Sequence, residues 1–405
     1  MILTFAWRNL WRNKLRSVVI IAAFAVGIFA GIFFFAFTNG MVNSRVNAVI
    51  GTEMSHIQLH KTGFLENDQF SLRIKNVDRL LPQIKKLPEV KAVTDRMIVN
   101  SMIANHETGL GVQITGIDPV NEIQVTDLHS RIVEGKYIGK TDSDAVIISK
   151  RLAKRLKTKL GDEITITVQN NKNEIVERQF QITGMYETEN MLFDDANIFA
   201  RKVDLANLTG ISGNEAHEVA VLLQNNQSTE AVTTELIKEF PDLEVKNWLQ
   251  LSPESGALVG AMNEYTYIFT IIILLALSFG IVNTMLMVIM ERVHEIGMLM
   301  AIGMKRLKVF LMIMAETVFL AVTGGIIGTL SGWLVSAYFG RAGINLYFWK
   351  EAFGEMGFSS MIYPTVDTTV IINNAILVFI AGLIASLYPA WKAVRLKPVD
   401  AIHTV

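Results

Sequence analysis

Uncharged apolar runs of membrane-spanning length alternate along this chain with segments patterned like water-soluble structure. A bilayer crossing takes about 20 mostly apolar residues, and four stretches meet that length. Residues 18–37 (VVIIAAFAVGIFAGIFFFAF) contain neither charge nor hydroxyl. The second run covers 265–290, the third covers 309–340 and is uncharged from Thr317, and the fourth covers 368–391 between Asp367 and Lys392. Residues 40–264 read as a folded α+β domain. Period-two alternation over 54–60 predicts a half-buried strand. Helical spacing over 77–87 predicts a helix despite Pro82, and Ser149 is placed to cap a helix over 149–159. Strand-like pieces follow at 112–117, 163–168, 219–223 and 245–249, the second of these after the turn at Gly161 and Asp162.

Lys and Arg beside the runs give the orientation, because cytoplasmic flanks carry the excess. Arg8, Arg12, Lys14 and Arg16 precede the first run, and Arg292, Lys305, Arg306 and Lys308 lie between the second and third. Lys392, Arg395 and Lys397 follow the fourth, whereas Arg341 and Lys350 alone occupy the loop between the third and fourth. Both termini and the loop at 291–308 are therefore expected in the cytoplasm, with the domain at 40–264 outside. The expected fold is a membrane α-helical one, with four transmembrane helices and a large α+β extracytoplasmic domain inserted between helices 1 and 2. In full, the expectation is an interfacial helix at 1–16, spans at 17–39, 265–290, 309–340 and 368–391, the outer domain at 40–264, a coupling segment at 291–308, a short outer loop at 341–367 and a cytoplasmic tail at 392–405. The first run exceeds the 7–15 residues typical of a cleavable signal segment, so it reads as an uncleaved span.

Composition agrees with a membrane protein. The 405 residues are 51% hydrophobic and 19% charged, against about 25% charge in soluble domains, and mean hydropathy is +0.35. A formal charge of -1 excludes a global basic footprint for nucleic acid. With no cysteine, disulfides, thiol catalysis and Cys-ligated zinc are excluded.

Intrinsic catalysis finds little support. Residues 134–141 (EGKYIGKT) resemble a phosphate loop, but Glu134 occupies the first glycine position and no apolar strand precedes it, so a surface turn is expected. His294-Glu295 and His217-Glu218 begin like zinc-peptidase motifs, yet Met298 and Val221 stand where the second histidine belongs. His56 and His60 share a strand face and are expected to be solvated. Asp194 and Asp195 are expected to be solvated loop residues pointing apart.

Membrane-associated patterns are more informative. Leu3, Ala6, Trp7, Leu10, Trp11 and Leu15 recur at helical spacing among basic residues, as in an amphipathic helix at the membrane surface. Ala23, Gly27 and Gly31, and again Gly324, Gly328 and Gly332, recur every four residues and mark faces for close helix packing, within the chain or between two chains. Residues 291–316 (ERVHEIGMLMAIGMKRLKVFLMIMAE) open with charges, continue with Val293, Ile296 and Met300 on one face, and break near Gly303. A short helix between two spans can pass a push from a cytoplasmic partner into both, and Glu316 is expected near the interface or facing the bundle.

That segment resembles the hallmark of the ABC-transporter permeases of the MacB/FtsX family. AWRNLWRNKLRS near the start and YPAWKAVRLKPVDAI near the end resemble its two other recurring segments, and the order of one span, large outer domain and three spans is similar. Within the outer domain, FTNGMVNSRVNAVIGTEMSHIQLHKTGF and VKNWLQLSP look most like the lipoprotein-release (LolC/LolE-like) branch, and the resemblance weakens over 170–213. The resemblance implies a permease without enzymatic activity of its own, in the bacterial inner membrane. It would be paired with a second permease chain (a copy or a paralogue) and a cytoplasmic ABC ATPase dimer that binds ATP and Mg, leaving no cofactor on this chain. It further implies a lipoprotein or lipid-bearing substrate and a periplasmic adaptor or chaperone. A drug or peptide exporter of MacB type and an FtsX-like scaffold for a cell-wall hydrolase are the alternatives. Carried over residue by residue, Glu291, Arg292, Glu295, Gly297, Ala301 and Gly303 match the ATPase-coupling motif. His294 stands where the family more often has a basic residue, which would make the charge of that contact pH-dependent.

Overall fold

The computed structural model describes residues 14–67, 69–366 and 368–395. Most of the N-terminal amphipathic segment and all of the tail beyond Arg395 therefore lie outside the described residues. The chain divides into two units, one holding Met1–Val42, Val259–Asn345 and Met361–Val405, the other Asn43–Leu258 and Leu346–Ser360.

The first unit holds long apolar helices. Among the described residues, four are long and apolar enough to cross a membrane, within Ser17–Met54, Pro253–Glu291, Arg306–Ala342 and Ile371–Val394. Three helices run past their apolar stretches. The first α-helix covers Lys14–Ala48 and continues as a π-helical turn over Val49–Met54. The second begins at Pro253 rather than 265, and the third begins at Arg306. Apolarity marks the lipid-facing part of a helix, whereas its ends are set by caps and hydrogen bonds. The common core of this unit is apolar, with Phe24, Ile28 and Ile32 of the first helix fully buried among Ile281, Met285, Leu320 and Val378.

The second unit is an α+β domain. Its main sheet runs in the order β12-β1-β11-β3-β4-β9-β6-β8-β5, with β7 pairing β3 and β8. Its strands in chain order are β1 (Ile57–Lys61), β3 (Val90–Ala104), β4 (Gly109–Ile117), β5 (Ile132–Gly135), β6 (Ala145–Ser149), β7 (Glu163–Gln169), β8 (Ile175–Tyr186), β9 (Asn197–Arg201), β11 (Glu218–Leu223) and β12 (Leu243–Asn247). The short strands β2 (Ile74–Lys75) and β10 (Glu215–Ala216) pair separately. The 15-residue β3 links two cores. One gathers Ile57, Leu59, Val219 and Val221 under the helices Val77–Ile84 and Thr229–Glu239. The other gathers Ile114, Ile148, Phe180 and Ile198 beside the helices Lys150–Leu156 and Lys202–Thr209. The cap expected at Ser149 is present, its hydroxyl accepting from Leu152 N–H at 2.9 Å.

Two expectations are corrected here. The strand after the first helix starts at Ile57, and its residues through His60 are all buried rather than alternating, because β1 lies inside the sheet between β12 and β11. His56 and His60 are consequently buried, not solvated. Asp194 and Asp195 sit in a helix, Met191–Ala196, capped by Asn190. There Asp194 is buried and accepts from Thr188 through N–H at 3.1 Å and Oγ1 at 2.8 Å, while Asp195 pairs with Arg151 at 2.7 Å. Burial raises the Asp194 carboxyl to about 6.

Candidate coupling site

The helix Val293–Ala301 lies in the chain between the second and third long helices. Helical structure breaks at Arg292, whose φ of -108° and ψ of 14° reset the chain direction. It ends at Gly303, where φ is +104°, a conformation that glycine reaches at little cost. Lys305 then starts the third helix in extended geometry. Val293, Ile296 and Gly297 are buried, and Met300 packs at the edge of the same apolar cluster. His294, Met298, Ala301 and Ile302 are exposed, Ile302 at 85%. One side of this helix is thus anchored in the bundle and the other is open.

Arg292 fastens the anchored side. Its Nε donates to Glu295 Oε2 at 3.0 Å, and its Nη1 donates to both oxygens of Glu316 at 3.2 Å. Glu316 belongs to the third helix, and its side chain is only 9% exposed. The guanidinium fork is suited to bridging two carboxylates in fixed geometry. It ties the short helix to the third span through a charge pair that is too buried for water to screen well. The Arg292–Glu316 pair was not anticipated from sequence, although a lone acid early in an apolar helix is itself a signal that a cation must be near.

The glycine faces pack within the chain. A Cβ at Gly324 would lie 2.6 Å from both the Ile21 carbonyl oxygen and Phe24 Cβ. At Gly328 it would lie 2.5 Å from the Ala25 carbonyl oxygen and 2.9 Å from Ile28 Cβ, and at Gly332, 3.1 Å from Ile32 Cβ. At these glycines the third helix lies directly against the backbone and Cβ atoms of the first, with no side chain of its own between them. Gly27 faces Leu277 of the second helix, and Gly31 faces the Asn374 amide of the fourth at 2.7 Å. Gly382, unmarked by any repeat, receives the Phe24 ring.

The α+β unit has its own ionic junction, also unforeseen. Arg45 Nη1 donates to Glu53 Oε1 at 2.6 Å and to the Gly357 carbonyl at 3.3 Å, and Nη2 donates to Ser255 Oγ at 2.8 Å. Asn190 Nδ2 adds a 3.1 Å bond to Glu53. The continuation of the first helix, the π-turn, the start of the second helix and the segment Leu346–Ser360 of this unit are thereby joined at one buried guanidinium.

The phosphate-loop look-alike opens on the last residues of β5, so a short strand does run into it, and continues as a surface turn closed by Gly139 N–H donating to Asp142 Oδ2 at 2.9 Å, with Glu134 paired to Lys150 at 2.8 Å. His217 is buried, with Nδ1 accepting from Ile98 N–H at 3.1 Å. Among the described residues no three His, Asp or Glu side chains converge as a metal site.

Long apolar helices and a large α+β domain inserted after the first of them define a polytopic membrane protein with an inserted globular domain. The MacB-like periplasmic core domain matches residues 17–239, more than half of the chain, and the FtsX-like permease C-terminal domain matches 267–398; the chain belongs to this family of ABC transporter permeases. It is 25% identical to an uncharacterized ABC transporter permease of Methanocaldococcus jannaschii, over 67% of this chain and 65% of that protein. It is 24% identical to the lipoprotein-releasing system transmembrane protein LolC of Neisseria meningitidis, over 75% of each. The crystal structure of the periplasmic region of MacB from Actinobacillus actinomycetemcomitans aligns with 14% identity and a TM-score of 0.36, covering 50% of this chain and 92% of that one.

Proposed function

We propose that this chain is the permease subunit of an ATP-driven transporter in a bacterial inner membrane, with both termini cytoplasmic and the α+β domain periplasmic. Two permease chains pair with a dimer of cytoplasmic ABC ATPases, which bind ATP and Mg. The ATPase docks on the open side of the helix Val293–Ala301, against Glu291, His294, Ala301 and the turn at Gly303, while Gly297 lets the opposite side sit close to the bundle. The observation that carries this reading is Arg292 held between Glu295 and Glu316. A push on the short helix cannot be absorbed locally, because the ion pair and the apolar contacts of Ile296 move the third span with it. The span is packed backbone to backbone on the first helix at Gly324 and Gly328, so the first helix is displaced too.

The substrate is a lipoprotein or another lipid-bearing molecule extracted from the membrane and passed to a periplasmic chaperone or adaptor. Similarity to a lipoprotein-releasing protein over three quarters of both chains supports this choice. Mass spectrometry of the complex purified with its ATPase, with and without a hydrolysis-blocking ATP analogue, tests it. An acylated protein bound without the analogue and released with it is expected. Co-purification of a drug-efflux adaptor or a cell-wall hydrolase, with no lipid-bearing ligand, would overturn the substrate assignment and leave the coupling assignment standing.

A further inference from the structure

One edge of β3 is covered by β4 along 97–104. The other edge is covered by β11 as far as Arg96 and by β7 from Met102 onward, and it is open between them. In a strand the N–H and C=O of one residue face the same edge, and successive residues alternate. Ile98 faces the open edge, because its N–H donates to His217 Nδ1 at 3.1 Å. The Ile98 carbonyl and both main-chain groups of Asn100 must therefore face the gap too. No main-chain partner reaches them among the described residues, and Asn100 is exposed.

This gap opens on a cavity of about 540 Å³ lined by Phe64, Phe70, Gln113, Gln169 and Asn171 together with Asn100. Carboxamides offer donors and acceptors without charge. Among the described residues that line it, the one cation is Arg73, which is already held by Glu215 at 2.7 Å and by the Phe70 carbonyl at 2.7 Å. The site is thus built for a neutral ligand that presents alternating donors and acceptors. We propose that it binds a short extended peptide segment of another protein by strand addition, with the Ile98 carbonyl and both main-chain groups of Asn100 supplying the ladder and the half-buried Phe70 ring, backed by the buried Phe64, receiving a side chain. Two ladder positions accommodate about four residues of peptide. A free main-chain row is what separates this ligand from a glycan, which would be held by the side chains alone.

The test uses the full-length protein in nanodiscs and a library of acetylated, amidated hexapeptides, with N-acetylglucosamine oligosaccharides as the comparison. Peptide binding should slow hydrogen exchange over 97–101 about tenfold. Asn100→Pro removes the N–H that faces the gap at a position where proline is tolerated, and it should weaken the best peptide about tenfold. Asn100→Ala keeps that N–H and removes only the carboxamide, so it should weaken the best peptide by about threefold, clearly less than Asn100→Pro. No slowing with any peptide, slowing by the oligosaccharide alone, or an equal loss in Asn100→Ala and Asn100→Pro would each overturn the assignment. If Asn100→Pro does not fold, the exchange measurement on the unaltered chain decides.

Discussion

Arg292 donates through Nη1 to both carboxylate oxygens of Glu316 at 3.2 Å, joining residues 24 positions apart across a helix break. Removing one partner of a largely buried ion pair costs up to about 3–5 kcal/mol. Arg292→Met and Glu316→Leu should each lower the Tm in detergent, and both should abolish substrate-dependent stimulation of the partner ATPase. Glu295 is 32% exposed, so Glu295→Gln should cost about 1 kcal/mol or less. Equal destabilisation by all three substitutions would refute a role specific to the buried pair. Restoration of coupling in the double exchange Arg292→Glu with Glu316→Arg would confirm it.

Two neighbouring glycines of the third helix provide an internal control on packing. At Gly328 a new Cβ would meet the Ala25 carbonyl oxygen at 2.5 Å, whereas at Gly325 the nearest atom is the mobile end of Ile28 at 3.5 Å. Overpacking a close backbone contact costs about 1–3 kcal/mol. Gly328→Ala should therefore lower the Tm, and Gly328→Leu should also lose transport. Gly325→Ala should be neutral by the same measurement, since it fills space without displacing backbone.

The spans were legible because a bilayer demands long apolar runs, and the four-residue glycine spacing is a local signal of close helix contact. The ends of the helices were not, because residues 253–264 mix polar and apolar side chains and carry no run. The state of His56 and His60 depends on β1 being an interior strand, which local alternation cannot reveal. The burial of Asp194 depends on a short helix capped by Asn190, where an extended chain had been expected. Arg45 meets Ser255 and Gly357 across 210 and 312 positions of sequence. Only the folded chain brings such partners together.

Acid should loosen the α+β unit through its histidines. His56 Nδ1 accepts from Leu223 N–H at 3.2 Å and His217 Nδ1 from Ile98 N–H at 3.1 Å, so protonating the Nδ1 of either ring places two N–H groups face to face. Burial lowers both imidazoles from 6.5 to about 4. The stability they contribute is complete above pH 6.5 and is lost as pH falls from there toward 4, on the order of 3 kcal/mol for the more enclosed His217. Asp194 works in the opposite sense, since its raised value near 6 makes the fold gain stability as pH falls from 6 toward 3.8. Hydrogen exchange at pH 7 and pH 5 should show faster opening of 217–223 and of 97–99 at the lower pH. In His217→Gln, whose carboxamide oxygen can still accept from Ile98, that acceleration should shrink.

The Arg45 junction carries the most specific prediction for the α+β unit. Arg45 and Glu53 are each about 7% exposed in their side chains, and the guanidinium also serves Ser255 Oγ and the Gly357 carbonyl. Gly357 approaches with φ at +72°, and a Cβ there would lie 2.7 Å from Arg45 Nη1. Arg45→Met strands the Glu53 carboxylate with Asn190 alone, a loss of about 3 kcal/mol or more. Arg45→Lys keeps the charge but not the fork, so it should recover only part of that loss. Gly357→Ala strains the backbone and crowds the guanidinium together. All three substitutions should speed hydrogen exchange in Leu346–Ser360 and around Ser255, with β6 and β9 unaffected because their core lies apart from the junction. If exchange rises uniformly over the unit instead, Arg45 supports global stability and does not act as a local tie. If ATPase stimulation by substrate also falls in Arg45→Met while the Tm of Arg45→Lys stays near that of the unaltered protein, the junction transmits motion as well as holding the segments together.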